Sequence, residues 1–362
     1  MDALAIVRRR LRAQRLTGEP FSTPAAAVAA SGAVQAQEHD EALWALATRV
    51  SDCDLACVRA ACDSGAILRT HVLRPTWHFV AAADLRWLLR LTGPRVQAKN
   101  AGRYRELGLD AATLARVGEL LVDVLEDGEP RIRRELAAQI AAAGIDTAGQ
   151  RLPHMLMHAE LEGLIASGPR RGRQHTYLLL EGRVPAAPDR AREDDVAELV
   201  LRYFVSHGPA TLRDFAWWSG LTIADAKAGL PVADGRLVAG EADDGMRWFA
   251  APQAASSPAA GGSSRSSGAL LLGTFDETLV AYRDLRNVDA DGRAGADLLI
   301  RPIVVDGRTV GGWTRRLTRS TVTIEAVLQR APSAEQAAAL QAAADRVGAF
   351  VGLPAVLRTS TS

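Results

Sequence analysis

The sequence predicts an α+β protein in which three tandem winged helix-turn-helix units precede a C-terminal β-rich domain. Three observations point there. Gly18-Glu19-Pro20, Gly128-Glu129-Pro130 and His207-Gly208-Pro209 each follow a helix-like run and precede a short polar-then-apolar helix. After each comes a further helix and then two short strand-like runs that can pair as a hairpin. Beyond a run rich in Ala, Ser and Gly, Asp306-Gly307 sits between two β-rich segments, the strongest hairpin signal in the chain. These signals divide the 362 residues into units at 1–90, 91–188 and 189–253, a linker at 254–268 and a domain at 269–362. A chain of this length is too long for one small core.

In the first unit Thr23-Pro24 opens an alanine-rich helix, with proline at the first helical position, and Ser31-Gly32 closes it. Acidic residues in Glu38-His39-Asp40-Glu41 start the next helix, which carries Leu43, Trp44, Leu46 and Ala47. Between them lies Val34-Gln35-Ala36-Gln37, and two glutamines at i and i+2 face one way if the backbone there is extended. Residues 53–62 read as a helix, and residues 66–71 pair with 76–80. In the second unit residues 130–137 start a helix like residues 209–216 of the third. Residues 152–164 are helical, and a hairpin turns at 168–173 and returns through 176–180. In the third, residues 236–239 face 246–249 across an acidic turn. The C-terminal part offers strands at 270–272, 298–300 and 321–328, a hairpin at 303–313 and a helix at 334–347.

The net charge of +1 hides a sorted distribution. Residues 69–105 hold Arg69, Arg74, Arg86, Arg90, Arg95, Lys99, Arg103 and Arg105 against Asp84, and residues 301–320 hold five arginines against Asp306. A neutral protein sorted this way can present a basic face to phosphates, although solvated faces do the same. Lys99 and Lys227 are the two lysines in the chain. The N-terminus does not read as a signal peptide, and no apolar run approaches a membrane span. An odd cysteine count, three, suggests a reducing cytoplasm.

Cys53, Cys57 and Cys62 with His71 invite a zinc reading, but Cys62 is out of register and no Cys-x-x-Cys is present. We read them as small buried helix cysteines and expect neither metal nor cofactor. Trp44, Trp217 and Trp218 are expected in cores, and His154, His158 and Glu162 on a half-exposed helix face. Arg170, Arg171 and Arg173 at one hairpin tip, and Arg308 beyond the Asp-Gly turn, are better placed to meet phosphates or a groove. On spacing alone, Gln35 and Gln37 read as polar linker residues bonded to helix ends.

Four short motifs occur in order: Gln35-Ala36-Gln37, Arg74-Pro75-Thr76-Trp77-His78, residues 271–276 (Leu-Leu-Gly-Thr-Phe-Asp) with Tyr282-Arg283-Asp284, and residues 305–313. Together they resemble the AlkZ/YcaQ-type winged-helix DNA glycosylases, and the second glutamine resembles the AlkZ-like branch, since the sister branch has Asp there. The resemblance implies a C-shaped molecule around duplex DNA, with Gln35 and Gln37 catalytic. It places DNA contacts at Arg74, Trp77, His78, Arg170, Arg171, Arg173, Arg308, Arg315 and Arg316. The implied partner is double-stranded DNA carrying alkylated purines, met by a monomer in the cytoplasm at the nucleoid. A neutral amide is a poor general base, so this pair suits leaving groups that are already cationic, such as N7-alkylguanine or N3-alkyladenine. Bulky adducts and crosslinks from DNA-alkylating antibiotics fit an open site, and a shortage of lysines argues against a lyase step. A non-catalytic winged-helix regulator or architectural DNA binder is the alternative.

Overall fold

The computed structural model describes residues 1–188, 190–233, 235–252, 268–285 and 300–361. The expected linker at 254–268 lies outside them apart from Gly268, as do Leu298 and Leu299. Ile300 is in a bend rather than a strand.

One order of elements occurs three times: helix, short extended segment, two helices, antiparallel hairpin. In the first group these are α2 (Pro24–Ser31), β1 (Val34–Gln35), α3 (His39–Ala47), α4 (Leu55–Asp63), β2 (Ile67–Val72) and β3 (Arg74–Ala81). After α5 (Ala82–Glu106) the second group follows: α6 (Ala111–Leu125), β4 (Arg131–Ile132), α7 (Arg133–Ala142), α8 (Arg151–Leu161), β5 (Ile165–Arg171) and β6 (Gln174–Leu179). The third runs α9 (Arg192–His207), α10 (Leu212–Ser219), α11 (Ile223–Gly229), β7 (Val238–Glu241) and β8 (Arg247–Ala250), with Ala210 bridging to Phe249 in place of the short strand. An additional helix, α1 (Ala3–Ala13), precedes them all.

The local causes are ordinary ones. Thr23, Asp54, Asp110, Thr211 and Thr222 accept backbone N–H groups at helix starts, and Thr211 and Thr222 form reciprocal capping boxes with Asp214 and Asp225. The short segment completes each hairpin sheet, giving orders β1-β3-β2 and β4-β6-β5. In the first group that segment follows Gly32, not Gly18-Glu19-Pro20, so the expected equivalence of the three Gly/Pro turns holds only for the second and third.

Two features depart from expectation. α5 runs for 25 residues through Pro94, and residues 90 and 91, the expected junction of two units, both lie inside it. Much of its basic run is tied internally: Arg86 bonds Glu181, Val184 O and Pro185 O, and Arg95 donates to Gly220 O. Cys53 and Cys57 are bridged as a disulfide, which corrects their reading as separate buried thiols; Cys62 is free, and burial pushes its thiol up to about 12. With Cys53 just outside α4 and Cys57 in its first turn, the Cα atoms are 5.4 Å apart, within bridging reach.

The C-terminal part is a five-stranded sheet ordered β13-β12-β11-β10-β9, from β9 (Leu270–Leu271), β10 (Pro302–Val305), β11 (Arg308–Leu317), β12 (Val322–Leu328) and β13 (Ala355–Thr361). β12 and β13 are parallel, joined by the crossover helix α13 (Ala334–Val351), while α12 (Glu277–Val280) is a single turn after β9. One apolar core joins Val28, Val34, Leu43, Trp44 and Phe79 to Leu271, Trp313, Ile324 and Phe350. A second joins Val80, Leu85 and Leu88 to Tyr203, Phe215, Trp218 and Tyr282. The first group is thus packed on both the C-terminal sheet and the third group. No described helix is long and apolar enough to cross a membrane.

Candidate active site

β1 carries Gln35 at the edge of a sheet, and Gln37 follows in a bend two residues on. Val34 pairs with Phe79 and Gln35 with His78, and Ala36 N donates to Trp77 O at 2.8 Å, extending the strand one residue. Gln35 is buried and Gln37 exposed. The Gln35 side-chain oxygen accepts Gln37 N–H at 3.2 Å, and Gln37 Oε1 has a longer contact with Trp77 N at 3.5 Å. Arg69 braces the same segment, donating from Nε to Ala36 O (3.0 Å) and from an Nη to Gln37 O (3.4 Å). Its guanidinium lies 4.1 Å from the Trp77 ring centre, and desolvation lowers it to about 10.

Beneath Gln35 sits a carboxylate that the sequence did not single out. Glu277 Oε1 accepts the Gln35 backbone N–H at 2.5 Å; Oε2 accepts the Trp218 indole N–H at 3.1 Å and lies 3.4 Å from His207 Nε2. Burial alone raises a carboxyl, but here His207 and the Gln35 N–H outweigh it and hold Glu277 below its ordinary value. Its neighbour Asp276 grips Arg49 with both oxygens, at 2.8 and 2.9 Å, and Arg49 also donates to Gln14 Oε1 at 2.8 Å. Gln14 donates to the Tyr282 hydroxyl, which donates to His207 O. The turn that delivers these two acids is tight: Phe275 adopts φ +59°, and a Cβ at Gly273 would lie 2.9 Å from Glu41 O.

The expected DNA-contacting residues divide. His78 is fully buried, and desolvation, helped by Arg74, pushes it down to about 3, so it is neutral. Its Nδ1 donates to Thr76 O and its Nε2 has no partner. The expected DNA contact at His78 is corrected accordingly. Trp77 is half-buried between Arg69 and His71. The tip of its hairpin is plugged into the third group, where a Cβ at Gly220 would lie 2.4 Å from Leu73 O, which leaves Arg74 half-buried beside Trp217. Arg170 is held by His39 and Asp40, Arg171 by Glu135, and Arg315 by Glu41. Arg173, Arg308 and Arg316 are exposed and unpaired among the described residues. The Asp306-Gly307 turn faces α1, for a Cβ at Gly307 would lie 3.2 Å from Leu4 Cδ1. The free end of that sheet is the β11–β12 turn, where Arg316, Leu317 and Arg319 are all exposed.

The family model described as "DNA glycosylase AlkZ-like" matches residues 28–350. The chain belongs to this family.

A solved structure, Streptomyces sahachiroi DNA glycosylase AlkZ, superposes with a TM-score of 0.75 at 20% identity, covering 99% of this chain and 100% of that one. At that identity the likeness shows a shared fold. Among curated proteins none matches. In this AlkZ-like chain, sequence reasoning missed Glu277, although Asp276 beside it lies in a quoted motif, because one acid before an apolar turn carries no spacing signal. It also missed Leu317 and Arg319, having read only the Asp-Gly end of the hairpin. Trp44 and Trp218 are core residues, but Trp217 is 51% exposed and leaves the core role expected of it. His154 and His158 lie against Tyr104, and His158 Nε2 is 3.9 Å from Glu162. Among the described residues no cluster of His, Cys, Asp or Glu could hold a metal ion.

Proposed function

We propose that this AlkZ-like DNA glycosylase hydrolyses the N-glycosidic bond of cationic alkylated purines in duplex DNA, using Gln35 and Gln37 and no lyase step. The supporting observation is the kind of group β1 presents. One neutral amide, Gln35, lies on an edge strand beside a neutral histidine and the second, Gln37, follows just beyond it, while the buried carboxylate of Glu277 is engaged behind the backbone. Such a site can orient a water toward C1′ and stabilise a cationic sugar with carbonyl dipoles. It has no strong base and no acid to activate a poor leaving group, so the purine must arrive charged.

Duplexes carrying N7-methylguanine, N3-methyladenine, an N7-linked crosslink or a bulky N7 adduct are expected to lose the modified base. Matched undamaged and deaminated duplexes stay intact over the same time. Comparable release from a deaminated base would sink the mechanism. Breaks should appear only after alkaline treatment, and borohydride should trap no protein on the strand. Lys99 on α5 and Lys227 on α11 make no hydrogen bond or ion pair with residues 35–37.

The exposed β11–β12 turn is the proposed groove contact, with Arg316 and Arg319 flanking Leu317. Changing both arginines to alanine is expected to weaken duplex binding on any sequence. The slope of log K against log salt should shrink by about 2, near one per lost phosphate contact. An unchanged slope in a salt titration would move the contact elsewhere.

A further inference from the structure

We propose that Glu277 is a positioning residue for the Gln35–Gln37 pair, clamping β1 by its backbone so that the Gln35 side chain and the backbone that carries Gln37 are held in place. The inference rests on the base-release reading above.

β1 is a two-residue edge strand whose single sheet neighbour is β3. Alternation along an antiparallel edge sends Ala36 N–H to Trp77 O and leaves Gln35 N–H pointing away from the sheet. An orphan donor on so short a strand would leave the segment loosely held. Glu277 meets that donor from the far part of the chain, 242 residues away. A carboxylate accepting N–H is a stronger tether than a neutral carbonyl.

The tether is itself braced. Trp218 donates to the other oxygen and His207 lies 3.4 Å away. Ser206 Oγ, which donates to Arg202 O, lies 2.7 Å from His207 Nδ1 and fixes the ring's position. Asp276, locked to Arg49, fixes the start of α12 one residue earlier. Because the Gln37 backbone N–H donates to Gln35 Oε1, fixing the Gln35 backbone also holds the Gln37 backbone from which the second, exposed side chain projects. Glu277 lies behind the strand and acts through Gln35, without itself touching the reacting sugar.

The test is Glu277→Gln, which keeps shape and one acceptor oxygen but removes the charge. Three quantities are read on the full chain: the single-turnover rate of N7-methylguanine release at saturating enzyme, the duplex Kd, and the Gln35 amide proton shift. Glu277→Asp keeps the charge but withdraws the oxygen from Gln35 N by one methylene, and serves the same test if the glutamine variant folds poorly. The rate is expected to fall about tenfold to a hundredfold, as for a displaced reacting group, with Kd unchanged. The Gln35 amide proton, expected downfield in the parent protein from its short bond to Glu277, should move upfield. The inference is overturned if both folded variants retain the parental rate, if the loss lies in Kd alone, or if the rate falls while the Gln35 amide stays in place. A parent protein that releases no adduct defeats the base-release reading instead, which is a separate outcome.

Discussion

Replacing Gln35 with alanine is expected to slow release of N7-methylguanine by about 100- to 1000-fold, the loss typical of removing one preorganised dipole from a water-poor site. The side chain is buried and its oxygen accepts Gln37 N–H, so truncation removes one carbonyl and releases the backbone N–H of Gln37. Gln37→Ala should cost a similar factor for a different reason. Gln37 is exposed and its oxygen has only a long contact with Trp77 N, so it can turn toward a bound sugar. Neither glutamine belongs to an exposed hairpin, so duplex affinity should stay near the parental value. Single-turnover kinetics with a parallel binding isotherm separate the two quantities. If the parent protein and both variants bind duplex DNA equally and none releases any base, the chain is a DNA binder rather than a catalyst.

Asp276→Asn is expected to produce the largest loss of stability. Asp276 and Arg49 are both buried and joined by two hydrogen bonds, so the change leaves a buried guanidinium uncompensated. Breaking a buried pair from one side costs about 3–5 kcal/mol, a fall in Tm of roughly 10 °C. The pH dependence has a definite sign. Burial raises the Asp276 carboxyl, but Arg49 and the Thr278 groups outweigh it and hold it below its ordinary value. A carboxyl lowered on folding contributes stability that is fully present above its unfolded value, near pH 4, and is lost as pH falls through the folded value. Parent and variant should therefore differ most near neutrality and converge in acid. A constant gap in thermal melts across that range would show that the pair is not the source.

Local signals made much of the fold legible. Thr23-Pro24, the Asp306-Gly307 turn and the alternation along residues 322–328 each depend on near neighbours, and each element is where its residues place it. The extended backbone at Gln35 was legible for the same reason, while Gln37 lies in a bend beyond the strand and is exposed where Gln35 is buried. What escaped depends on contacts between distant residues. β13 is defined by parallel pairing with β12 across a helix, and α5 is packed on several sides, which hides its periodicity. Glu277 gains its meaning from Gln35, His207 and Trp218, none of them a sequence neighbour. The first Gly/Pro turn misled because the short strand of that group enters after Gly32 instead.

The core under β1 has a consequence for biosynthesis. Gln35 and Gln37 precede by more than two hundred residues Leu271, Trp313, Ile324 and Phe350, which complete the apolar layer that Val34 and Trp44 share. Glu277 arrives equally late. A nascent chain that has not yet reached Phe350 therefore carries both glutamines without that complete apolar layer.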